Sequence, residues 1–114
     1  MTNPEFEALV VEALEEIPAF FKEKLDNVDL VIEDWPERNP PGQFLLGLYQ
    51  GVPQTAWGRG SVTVLPDKIT IYQKPIEIVS AGDPERIKTQ AIETVQHEIA
   101  HHFGISDERL RELK

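Results

Sequence analysis

Apolar residues recur at helical spacing from the start of the chain. Phe6, Leu9, Val10, Ala13, Leu14 and Ile17 form one stripe, with Glu5, Glu7, Glu12, Glu15 and Glu16 between them. The pattern predicts an amphipathic helix capped by Thr2 or Asn3, with Pro4 in its first turn and Pro18 interrupting it. A second short helix over Ala19 to Leu25 would bury Phe20, Phe21 and Leu25. The period then falls to two, because Val28, Leu30 and Ile32 alternate with outward positions, as a half-buried strand ended by Trp35 and Pro36 requires. Pro36 to Gln43 reads as a surface loop, Leu45 to Tyr49 as a further strand, and Gly51 with Pro53 as a turn into a polar loop holding Gly58 and Gly60.

Two apolar runs follow, Val62 to Leu65 and Ile69 to Tyr72, separated by Pro66, Asp67 and Lys68 in the manner of a hairpin or a broken edge strand. Pro75 close by favours an edge, since proline cannot donate to a central ladder. Ile76 to Ser80 suits either a strand or one helical turn. The longest element opens on Asp83 as N-cap with Pro84 at the first helical position, and stops at Gly104. Ser106 or Asp107 then caps a short helix, ERLRELK. Taken together these elements predict an α+β fold: N-terminal helices and a C-terminal helix packed on a small mixed sheet of three or four strands, in a single domain over residues 1–114.

Composition narrows the chemistry. There is no cysteine, so disulfides and thiolate sites are excluded and any metal must be held by His, Asp or Glu. The formal net charge of −9 repels polyphosphate and anionic lipid, which argues against nucleic-acid and membrane partners and favours neutral or basic substrates. No apolar run is long enough to span a bilayer, and MTNPEFEALV is acidic where a signal peptide carries Lys or Arg, so the expected location is the cytoplasm.

All three histidines lie in HEIAHHFG, at positions 97, 101 and 102. At about 100° per residue, His97 and His101 sit roughly 40° apart on one face and one turn apart, so their imidazoles can converge on one ion. Ile87, Ala91, Ile92, Val95, Ile99 and Phe103 gather on the far side, the face a core would take. Glu98 projects about 100° from His97, where a carboxylate reaches a water in an open coordination position rather than the metal itself. A catalytic zinc needs a third protein ligand. Gly104 can reverse the chain, and the three steps from it to Asp107 reach at most about 10 Å, which makes Asp107 the choice, with Glu108 or Glu112 next. The bland reading of Asp107 is an N-cap. His102 points toward the buried side and reads as a hydrogen-bonded core histidine. Tyr49 and Tyr72 are candidate hydrogen-bond donors to a transition-state oxyanion, and Trp35 and Trp57 read as cover for the core edge.

The run HEIAHHFGISD fits the extended pattern HExxHxxGxxD, the aspartate-ended relative of the metzincin pattern. With LLGLYQGVP, PDKITIYQKPIE and TVQHEIAHHFGISDERL, in that order and spacing, it resembles the small bacterial minimal-zincin metallopeptidase-like family. The resemblance implies a zincin-like minimal fold with a short mixed sheet on the active-site helix, zinc at His97, His101 and Asp107, and Glu98 as general base. Two features depart from the wider metzincin pattern: Asp stands in the third ligand position, and no methionine follows the site, Met1 being the only one. The expected activity is zinc-dependent hydrolysis of a peptide or protein substrate lying along a cleft edge formed by Ile69 to Tyr72. The competing readings are a zinc-binding interaction module with little turnover and a metal-dependent ribonuclease, the latter opposed by the charge and by Glu98 directly after the first histidine.

Overall fold

In the computed structural model, which describes residues 1–26, 28–37, 45–51 and 66–113 except for the side chains of Asp107, Leu110 and Leu113, the first helix starts from a capping box. Thr2 Oγ1 accepts the Glu5 N–H at 3.2 Å and the Glu5 carboxylate accepts the Thr2 N–H at 3.1 Å. The helix, α1 (Asn3–Glu15), buries Phe6, Val10 and Ala13 on the predicted stripe. Pro18 opens α2 (Ala19–Lys24), in which Phe21 is buried while Phe20 and Leu25 pack partly against the core.

Strand β1 (Val28–Glu33) turns Val28, Leu30 and Ile32 inward, as their alternation predicts. It runs parallel to β3 (Asp67–Tyr72), which also pairs antiparallel with β2 (Gly47–Gln50), so the order among the described residues is β1-β3-β2. The sheet is mixed, as expected, but β3 is its centre and not an edge. All four residues from Ile69 to Tyr72 are buried, so the run is covered on both faces. Pro75 sits in the first turn of α3 (Gln73–Val79), where a missing N–H costs no helical bond. The candidate strand Val62 to Leu65, Trp57 and the loop glycines lie outside the described residues.

One helix, α4 (Pro84–His102), crosses the inner face of the sheet and packs on α1. Ile87, Ala91, Val95 and Ile99 are buried in one cluster with Phe6, Val10, Ile69 and Ile71. Each large aliphatic or aromatic side chain there contributes about 1.5–3 kcal/mol by leaving water. The short α5 (Asp107–Leu113) follows. Among the described residues, no helix is long and apolar enough to cross a membrane.

Candidate active site

The site is built on α4, whose two ends are fixed by local chemistry. Asp83 accepts the Glu85 N–H at 3.3 Å, Pro84 occupies the first turn, and the far end closes in a Schellman motif. In that motif the Ile105 N–H reaches the Ala100 carbonyl at 2.7 Å, the Gly104 N–H reaches His101 at 3.3 Å, and Gly104 has φ +69°. Ile105 then packs against the core, which pins the direction in which the chain leaves the helix. Phe103 is the capping residue and is 45% exposed, so the apolar face stops at Ala100, short of where its periodicity predicts.

His97 and His101 are both exposed on the same side of α4, with ring centroids 6.3 Å apart. Two imidazoles sharing a tetrahedral zinc at about 2.0–2.1 Å stand about 5 Å apart between centroids, a difference that side-chain rotation covers. The donor types, two imidazoles and a following carboxylate, are those of a zinc site. Asp107 is the first residue of α5, and its side chain lies outside the described residues. Among the described residues no three His, Asp or Glu side chains converge. The capping role read for Asp107 belongs to Ser106, whose hydroxyl accepts the Arg109 N–H at 3.1 Å. Of the two fallback ligands, Glu112 is paired with Arg109 at 3.1 Å and Glu108 is exposed.

Glu98 is half-buried, and its Oε1 accepts the backbone N–H of Tyr49 at 3.0 Å. This contact shows which way β2 faces. The Tyr72 N–H bonds to the Leu46 carbonyl, so Leu46, Leu48 and Gln50 turn their backbone groups toward β3, while Gly47 and Tyr49 turn theirs outward. The outer edge of β2 thus runs beside α4. Between them lies a cleft of ≈ 320 Å³ bounded by Leu45, Leu46 and Gly47 on one side and Gln90, Glu93, Thr94, His97 and Glu98 on the other. The edge of the cleft is β2, not Ile69 to Tyr72. Gly47 permits this approach, since a Cβ there would stand 2.6 Å from Thr94 Cγ2 and 3.0 Å from the Thr70 carbonyl.

His102 corrects its sequence reading. It is exposed, not a core residue, and stacks on Tyr49 with centroids 4.1 Å apart and planes 26° apart. The Tyr49 hydroxyl donates to Asp67 Oδ2 at 2.7 Å, and burial followed by this bond pushes its pKa up, so the phenol is committed to Asp67 and not aimed at an oxyanion. Tyr72 faces the opposite side of the sheet, with Leu48, Gln50 and Thr70. Trp35 is 47% exposed and covers little of the core. Gly47 and the strand-to-helix contact of the Tyr49 N–H join the candidate site only through the fold. Their only sequence signal is a glycine and an aromatic two positions apart in a short strand.

A family model described as zincin-like metallopeptidase matches residues 25–114. The chain is similar in structure to a conserved hypothetical protein from Thermo thermophilus, with a TM-score of 0.61 and 31% sequence identity over 90% of this chain and 94% of that one. No curated protein matches the chain significantly.

Proposed function

The chain belongs to the zincin-like metallopeptidase family, and from that premise we propose that it hydrolyses peptide bonds in the cleft between α4 and the outer edge of β2. One observation carries the reading: His97 and Glu98 stand together in a cleft whose opposite wall is a strand edge. His97, His101 and Asp107 would hold zinc, through the nitrogen and oxygen donors that this metal accepts. When bound, zinc supplies Lewis acidity toward a carbonyl oxygen and eases the deprotonation of water.

Glu98 is the proton carrier. Because Oε1 is held by the Tyr49 N–H, Oε2 is the oxygen that takes a proton from water and returns it to the leaving nitrogen. An extended substrate adds to β2 as a further strand, with the outward N–H and C=O of Gly47 as its ladder partners. Leu45 and Leu46 offer apolar contact along the same wall, while Glu93 and the net charge of −9 disfavour acidic side chains.

The test is a chelator-sensitive peptidase assay on a peptide library, run beside elemental analysis of the purified protein. Glu98→Gln keeps zinc and loses about 10²–10⁴-fold in turnover, whereas His97→Ala and His101→Ala lose the metal. Parental cleavage by the Gln variant would refute the base assignment. Tight zinc with no cleavage of any peptide would replace the peptidase by a zinc-held interaction module.

A further inference from the structure

We propose that Tyr49 is a positioning residue for Glu98, locked in place by a clamp of Asp67 and His102; the inference rests on the role given to Glu98 above. The α4 backbone fixes where the Glu98 side chain begins but leaves its carboxylate free to rotate. Its orientation is set by the Tyr49 N–H, 49 residues away in sequence, at 3.0 Å from Oε1. A backbone N–H is only as well placed as the strand that carries it. Strand β2 has four residues and, among the described residues, is paired with β3 on one side alone.

The Tyr49 side chain supplies what that pairing alone lacks. Its hydroxyl donates to Asp67 at the first position of β3, and its ring lies flat on His102 in the last turn of α4. His102 is in turn met edge-on by Phe103, with centroids 4.8 Å apart and planes at 89°. Gly51 leaves room for this arrangement, since a Cβ there would stand 2.9 Å from His102 Cε1. One residue therefore touches β3 through its hydroxyl, the last residue of α4 through its ring and the preceding turn of α4 through its N–H. Three contacts from one residue fix both the distance and the tilt of β2 relative to Glu98. The clamp also gives the second histidine of the HH pair a use: His101 faces the ligand side, and His102 holds the strand that holds the carboxylate.

Amide hydrogen exchange on the full chain, with and without one equivalent of zinc, tests this without any substrate. The Tyr49 amide points away from β3, so its protection reports the Glu98 bond alone. It is expected to be protected in the parent and to exchange at least about tenfold faster in Glu98→Ala, with the Thr70 and Ile71 amides unchanged. His102→Ala accelerates the same amide, and His102→Phe, which keeps a stacking ring, restores it. Tyr49→Phe, which keeps the stack and loses the Asp67 bond, gives an intermediate rate. A Tyr49 amide unprotected in the parent, or indifferent to the loss of both His102 and the hydroxyl, overturns the proposal. Absence of zinc or of peptidase activity would instead overturn the function above and leave this exchange pattern to be judged separately.

Discussion

Adding one methyl group at Gly47 forces β2 and α4 apart. A Cβ at this position would stand 2.6 Å from Thr94 Cγ2, 3.0 Å from the Thr70 carbonyl and 3.5 Å from Ile71 Cδ1. Non-bonded carbons rest at about 3.5–4.0 Å, so roughly 1 Å must be found. Thr94 is 8% exposed and packed on its helix, and the Thr70 carbonyl belongs to the central strand, so neither gives way freely. Overpacking of this kind costs about 1–3 kcal/mol. For a domain of this length that corresponds to a fall in Tm of about 3–15 °C.

The same displacement has a second consequence. A retreat of β2 by about 1 Å would stretch the Tyr49 N–H bond to Glu98 from 3.0 Å to about 4 Å, beyond hydrogen-bonding distance. Urea and thermal unfolding of Gly47→Ala, Thr94→Ala and the double variant separate clash from general damage. In the double variant the new methyl loses its closest neighbour, so the pair should be more stable than the sum of the singles by about 1 kcal/mol. Parental stability for Gly47→Ala, or strict additivity in the double variant, would refute the close-approach argument.

Three further predictions concern other parts of the frame. Gly104→Ala places a Cβ at φ +69°, and should lower stability by about 1–2 kcal/mol; equilibrium dialysis should also show weaker zinc retention, because the chain reversal toward Asp107 starts there. The Tyr49 pKa is raised by burial and then by Asp67, so its contribution to stability is complete below the free tyrosine value of about 10 and is lost as pH rises from there. Urea midpoints taken across that range should show the gap between parent and Tyr49→Phe narrowing, with Tyr72, raised chiefly by burial, still contributing to the alkaline loss. Lys88 bonds Glu12 at 2.7 Å and ties α4 to α1; Lys88→Met should cost a little stability at low salt, and the difference should fade at about 1 M salt.

The helices were the easiest elements to read, because their evidence is local. The capping box at Thr2, the Asp83-Pro84 start and the Gly104 stop each sit within a few residues of the backbone they terminate. For β3 the proline nearby outweighed a better clue. Ile69-Thr70-Ile71-Tyr72 is a continuous run of strand-forming residues, as expected of a strand covered on both faces, and the proline belonged to the next helix. His102 departs from the helical-wheel expectation for a different reason. A helical wheel assumes that its buried face continues to the last turn, but the partner surface ends at Ala100 and leaves His102 and Phe103 exposed.

The same distinction explains why half of the candidate site is legible in the sequence. His97, Glu98 and His101 need only the pitch of one helix to come together. The other half depends on register. Gly47 opposes Ile71 and Tyr49 opposes Ile69, which sends the Tyr49 N–H outward to Glu98 and its ring to His102. A slip of one residue would put Tyr49 on the opposite face and turn its N–H toward β3. Gly47 opposes that slip, because only a residue without a Cβ fits against Thr94 at that point. A glycine whose first effect is on packing therefore also determines which amide meets the carboxylate.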